Sequence, residues 1–291
     1  MKPPTRYRPP PGACDCHVHV FGDPSRFPFA SDRRYTPGIA SVASLDALHA
    51  SLGIARTVIV QPSPYGTDNA CTLDAVERMH GRARAVAVVD PDIADDALDE
   101  MHRRGVRGVR LNLETAGVRD PAAAGRALRT IASRVHPWHW HVQVFADIAV
   151  VAALETDIRS LPTPLVVDHF GKTDAALGPD HPPFRTLLGL VADGFAYVKL
   201  SAPHRVSSAP DAEGAGALAK ALLAANDERL IWGTDWPHPG GARVDAAAIE
   251  AFEDIDDARA IERLSHWIAD DRRLHRILVE NPARLYDFPT A

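Results

Sequence analysis

The chain has 291 residues, 46% of them hydrophobic and 24% charged, with a formal net charge of −6. That is ample material for a sizeable core, and the acidic balance argues against a nucleic-acid partner, because phosphate binding calls for a basic face. Three cysteines make no disulfide framework, no apolar run reaches membrane-spanning length, and Met1-Lys2-Pro3-Pro4-Thr5-Arg6 lacks the apolar stretch of a secretory signal, so a cytoplasmic protein with reduced thiols is expected.

Residues 1–12 carry five prolines and little that could build a core, and read as an extended arm ahead of one domain over 13–291. Cys14-Asp15-Cys16-His17-Val18-His19-Val20 reads as a strand. Alternation puts His17 and His19 on one face with Asp15 deeper along it, and Cys14, Cys16 and Val18 on the other, packed beneath helices. Phe21 to Pro37 is a loop rich in Gly, Pro, Arg and aromatics, too long for a mere connector. A helix is expected from Ser44 to Leu52, starting on a serine cap and stopping at Gly53.

A rhythm follows. Short β-branched runs lie at Arg56–Ser63, Ala83–Asp90, Val106–Leu113, His141–Ala146, Pro164–Phe170, Phe195–Ser201 and Arg229–Asp235. Between them sit helical stretches rich in Ala, Leu and Arg, around 72–80, 93–103, 121–134, 147–159, 184–193 and 212–225. With the first strand this makes eight strand–helix units, the pattern of a closed (β/α)8 TIM barrel followed by C-terminal helices. An open doubly wound sheet is less favoured, since no Gly-rich nucleotide loop follows the first strand.

In such a barrel the chemistry sits at the C-terminal strand ends. Polar residues gather there: His17 and His19 on strand one, Gln61 and Ser63 on strand two, Arg110 and Asn112 on strand four, and Gln143 on strand five. His169 and Lys172 follow strand six, His204 and Arg205 strand seven, and Asp235 closes strand eight. Lys199 and Arg107 read as exterior salt-bridge residues.

His17-x-His19, Val-Asp168-His169-Phe-Gly-Lys172, Trp-Gly-Thr-Asp235-Trp-Pro-His238 and the closing Asn281-Pro-Ala-Arg-Leu-Tyr286 together resemble the amidohydrolase superfamily. With Gln61-Pro-Ser63-x-x-Gly-Thr-Asp-Asn69 and Arg34-Tyr-Thr-Pro37, they are similar to its branch typified by 2-pyrone-4,6-dicarboxylate lactonase. Metal-dependent members hold zinc through the first-strand His pair, a Lys or Glu on strand four, His residues on strands five and six, and the strand-eight Asp. Here strand four offers Arg110 and Asn112, and strand five Gln143, none of which suits that role, and Arg110 would repel a cation. The resemblance therefore implies a catalyst without a cofactor. The alternative is one Zn2+ on His17, His19 and Asp235.

On this reading Asp235, expected to be an unpaired base, activates water against a lactone carbonyl. His17, His19 and His169 polarise the carbonyl oxygen in place of a metal. Arg110, Lys172 and Arg205 hold carboxylates of a small anionic lactone, and Tyr35, Ser63 and Gln143 supply neutral contacts. Three alternatives stand beside lactone hydrolysis: a sugar-acid lactone isomerase using the same site, a zinc-dependent decarboxylase or hydratase, and a barrel that binds small acids without turnover. No membrane partner is expected, and the exposed barrel ends and proline-rich arm allow a homo-oligomer.

Overall fold

The computed structural model describes residues 7–208, 212–240, 246 and 248–289. Eight strands form one parallel sheet: β1 (Cys14–Val18), β2 (Arg56–Val60), β3 (Ala83–Ala87), β4 (Val106–Asn112), β5 (His141–Phe145), β6 (Leu165–Val167), β7 (Ala196–Ser201) and β8 (Leu230–Gly233). Each pairs with the next in sequence order, as right-handed strand–helix–strand crossovers require. At the seam, Asp235 N–H donates to His17 O at 2.9 Å and His19 N–H to Trp236 O at 2.8 Å, so β8 closes onto β1 at the C-terminal ends. The fold is a (β/α)8 barrel. Residues 1–6 of the expected arm lie outside the described residues, while Tyr7 rests against the core.

Helix α1 (Val42–Leu52) begins two residues earlier than its sequence suggests, because Ser41, not Ser44, is the cap. Its hydroxyl accepts the Ser44 N–H, and Gly53 at φ 75° ends the helix by donating to His49 O. The apolar residues of the helices and the outward strand positions, such as Ile59, Val109 and Val167, fuse into one outer core. Among the described residues no helix is long and apolar enough to cross a membrane.

The barrel interior departs from the simple alternation of the first strand. Asp15 pairs with Thr57 but Val18 with Ile59, so three steps on β1 face two on β2. That is a β-bulge, and it reverses which face the following residues use. Cys14 and Cys16 point into the barrel, in a small apolar layer with Val58, Val60, Val166, Ile231 and Tyr286. They do not pack under the helices, as strict alternation would have them. Beyond the bulge His17 and His19 also point inward, stacked above that layer. Asp15 faces outward instead of lying beneath the histidines.

Outward, Asp15 ties the seam together. Its Oδ1 accepts the backbone N–H of Thr234 at 3.0 Å and of His17 at 3.2 Å. Its Oδ2 accepts the Thr234 hydroxyl at 2.6 Å and meets His49 Nε2 of α1 at 3.3 Å. Gly233 is required at the same spot, since a Cβ there would lie 2.6 Å from His17 N. The opposite end of the barrel is plugged by the C-terminal helix Asn281–Tyr286, whose Asn281 amide donates to Leu230 O at 2.7 Å. Replacing Asp15 with Ala strands buried donors on two chain segments, and should cost about 3 kcal/mol of stability. A urea unfolding curve of Asp15→Ala, with a lowered midpoint at unchanged slope, is the measurement that checks it.

Candidate active site

The mouth of the barrel is a cleft lined by His19, Tyr35, Ser63, Arg110, Asn112, Thr115, Phe145, His169, Arg205 and Asp235. Its floor is a convergence of imidazoles. Nε2 of His17, His19 and His169 lie 3.6, 3.8 and 3.7 Å from Asp235 Oδ1. The other ring nitrogen of each is held from behind: His19 Nδ1 by Val60 O at 2.8 Å, His169 Nδ1 by Ser201 Oγ at 2.8 Å, and His17 Nδ1 by Lys199 Nζ at 3.2 Å. His169 and Asp235 occupy the left-handed region, with φ of 48° and 71°. Such strand-end strain is kept where the surrounding structure fixes a side chain's aim.

Burial keeps these rings neutral. It pushes His17 and His169 down to about 3, with Lys199 adding to the effect on His17, and pushes His19 down to about 4 with the help of Arg110. A carbonyl oxygen can only accept, so His19 carries its proton on Nδ1 and offers a lone pair at Nε2.

Asp235 is not the unpaired base that its sequence position suggests. Arg205 Nε donates to its Oδ2 at 2.8 Å and Arg205 Nη2 to Pro239 O at 2.9 Å. Burial raises the carboxyl's proton affinity, but the Arg205 guanidinium beside it outweighs this and holds the group well below the usual carboxylate range. The other two basic groups are likewise engaged. Lys172 Nζ donates to Glu114 Oε1 at 2.7 Å, and it does not line the cleft. Arg110 lines it, with Nε and Nη2 donating to Asp168 Oδ2 at 3.3 and 3.2 Å. Tyr35 and Ser63 line the cleft, from the loop after β1 and the turn after β2. Gln143 lies deeper, fully buried, donating to Asp168 Oδ2 at 3.0 Å and accepting from Lys199 at 2.7 Å. Both ends of its amide are thus taken up inside the barrel.

Two residues of this site carried no role in the sequence reading. Lys199 is wholly buried inside the barrel and is no exterior salt-bridge residue. Asp168 gathers Arg110 and Gln143 on Oδ2, with His17 Nδ1 and Lys199 Nζ 3.3 and 3.6 Å from Oδ1. The signal available was parity: Lys199 shares its face with Ser201 at the strand end, and Asp168 shares its face with Val166.

His17, His19 and Asp235 bring ligand atoms within 4.8 Å of one another, so these groups could hold a metal ion. A metal-binding imidazole ordinarily donates its other N–H to a carbonyl or carboxylate. His19 does so. His17 Nδ1 faces both the Lys199 ammonium at 3.2 Å and Asp168 Oδ1 at 3.3 Å, and Arg205 occupies the second oxygen of Asp235. Two cations beside the set, Lys199 and Arg205, oppose a zinc ion there.

Residues 14–288 match the family model described as Amidohydrolase. The chain belongs to the amidohydrolase family, and by membership it is a hydrolase. It is 35% identical over 293 residues to a 2-pyrone-4,6-dicarboxylate hydrolase of Comamonas testosteroni, covering 97% of this chain and 92% of that protein. It is 33% identical over 288 residues to a 4-sulfomuconolactone hydrolase of Hydrogenophaga intermedia, covering 97% and 91%. A D-galactarolactone isomerase of Agrobacterium fabrum is 31% identical over 237 residues, covering 81% and 77%.

The neutral rings set an acid limit. His17, His19, His169 and the interior His141, which burial also pushes down to about 3, resist protonation when folded. The unfolded chain, with histidines near 6.5, therefore binds the extra protons. Stability should be full above about pH 6.5 and fall as pH drops toward 4, by at most about 1.4 kcal/mol per pH unit for each ring. Thermal unfolding across that range should show the melting temperature starting to decline near about pH 6.5, well before ordinary carboxylates begin to titrate.

Proposed function

We propose that this chain hydrolyses the ester of a small anionic lactone, with Asp235 as general base and no metal in the chemical step. The observation that carries this reading is the convergence of three imidazole Nε2 atoms on one carboxylate oxygen, flanked in the cleft by Arg110 and Arg205. It agrees with the names of two similar proteins, each a hydrolase of a lactone that bears further acidic groups.

The rings divide the work by tautomer. His19, with its lone pair at Nε2, accepts a hydrogen bond from the attacking water and holds it beside Asp235. His17 and His169 face the carbonyl oxygen, where an N–H on Nε2 stabilises the oxyanion as it forms. This revises the expectation that all three imidazoles donate. Water attacks the carbonyl carbon as its proton passes to Asp235. The tetrahedral adduct then breaks the ring C–O bond, and Asp235 returns that proton to the departing oxygen.

Arg205 links binding to basicity. Paired with Asp235, it keeps that carboxylate weakly basic. A substrate carboxylate entering the cleft offers the guanidinium a second planar partner, drawing it off Asp235 and raising the proton affinity of the base. Only an anionic lactone does this, so the pair also selects for charge.

Turnover of a panel of pyrone, muconolactone and aldarolactone acids tests the reading. Asp235→Asn should lower kcat about a thousandfold while dicarboxylate binding survives, and unchanged turnover would reject Asp235 as the base. Ring-opened product supports hydrolysis, whereas a rearranged lactone would mean that a substrate hydroxyl replaces water. Arg205→Gln should raise KM for anionic lactones at least tenfold, roughly the worth of a charge-assisted hydrogen bond. It should also move the acid limb of kcat/KM to higher pH, because the lone carboxylate binds protons more tightly. A pH profile identical to that of the parent enzyme would refute the coupling.

A further inference from the structure

A buried lysine beside a buried imidazole needs an explanation, because the ammonium can only donate, so the ring nitrogen it meets must accept, and neither is exposed to water. Lys199 lies wholly inside the barrel, one layer below the reacting atoms. Its ammonium has three N–H donors. Two are committed: one to Cys16 O at 2.9 Å and one to Gln143 Oε1 at 2.7 Å. The third faces His17 Nδ1 at 3.2 Å, closer than Asp168 Oδ1 at 3.6 Å.

His17 Nδ1 thus stands between a cation and an anion, with Asp168 Oδ1 3.3 Å away. The two neighbours demand opposite tautomers. A proton on Nδ1 would serve Asp168 but would set an N–H against the ammonium. A proton on Nε2 leaves Nδ1 free to accept from Lys199. Geometry favours the second: Lys199 Nζ, which can only donate, lies 3.2 Å from His17 Nδ1, whereas Asp168 Oδ1 is 3.3 Å away and poorly aligned with that nitrogen. Asp168 is compensated elsewhere, through three N–H donors on its Oδ2.

We infer that Lys199 is a positioning residue that fixes His17 as the Nε2–H tautomer, turning that ring into a hydrogen-bond donor toward the substrate carbonyl and unfitting it as a metal ligand. His19, backed by the Val60 carbonyl, takes the opposite tautomer two residues along the same strand. One H-x-H pair thereby presents a donor and an acceptor side by side. In a metal site both rings would present lone pairs. The catalytic benefit rests on the lactone-hydrolase reading, whereas the tautomer itself does not.

The test is nitrogen-15 NMR of histidine-labelled protein at neutral pH, with His17 signals assigned by their loss in His17→Gln. Wild-type His17 should show a protonated, pyrrole-type Nε2 and a pyridine-type Nδ1, and His19 the reverse. An Nδ1-protonated His17 overturns the inference. In Lys199→Met the His17 proton should move to Nδ1, facing Asp168. Zinc affinity by calorimetry should rise at least tenfold, the usual effect of a ligand's outer partner. A folded Lys199→Met with unchanged tautomer and zinc affinity also overturns it, and if that variant does not fold the wild-type spectrum alone decides. No lactone enters these measurements, so a failed substrate panel would sink the proposed reaction and leave this result standing.

Discussion

One extra residue in β1 is the constraint on which the site depends. Without the bulge, alternation would send Cys16 and His17 to opposite faces, and the first imidazole would be aimed into the helical layer. With it, two small thiols fill the narrow barrel floor and two imidazoles rise above them on the same side. The same irregularity turns Asp15 outward, where it clamps Thr234 and so brings the end of β8 against β1. Closing the barrel and assembling the candidate active site are one structural event. Gly233 serves both, since any side chain there would collide with His17.

Above that floor the interior is ionic rather than apolar. Asp168, Arg110 and Lys199 are buried together with Gln143 bridging two of them. Such a cluster is a poor source of stability, because each charge gives up its hydration. Its value lies in direction. A set of buried charges that must all be satisfied at once leaves few arrangements open, and rings packed against it inherit that fixity. The three imidazoles, neutral through burial and pinned at Nδ1, can then differ in what they present at Nε2 although their residue type is the same.

The cleft carries cations without being a free anion sink. Arg110 and Arg205 each reach a carboxylate of the protein, and Lys172 is neutralised by Glu114 outside the cleft. Under the proposed function, anion recognition on such a surface works by exchange of partners, and exchange at Arg205 alters the very carboxylate that would take the proton. Positive charge distributed in this way keeps Asp235 ionised at rest and, on the proposed reading, concentrates its basicity in the complex.

The sequence by itself determined the architecture and most of the cast. Eight β-branched runs alternating with Ala- and Leu-rich segments specify the parallel barrel, because each short apolar strand can bury both faces only between a barrel interior and a helical shell. His17, His19, His169 and Asp235 were legible as strand-end residues with matching chemistry, and Arg205 as a cation near them. What sequence could not supply was anything resting on contacts between distant strands. The inward turn of Cys14 and Cys16, the outward turn of Asp15, the guanidinium on Asp235, and the roles of Asp168 and Lys199 all arise that way. Alternation is a local rule, blind to a bulge set by the neighbouring strand's register, and a lysine in a strand looks the same whichever way it points. Only the closed barrel decided that Lys199 faces inward, because only there does its ammonium find Cys16 O and His17 on β1 and Gln143 on β5.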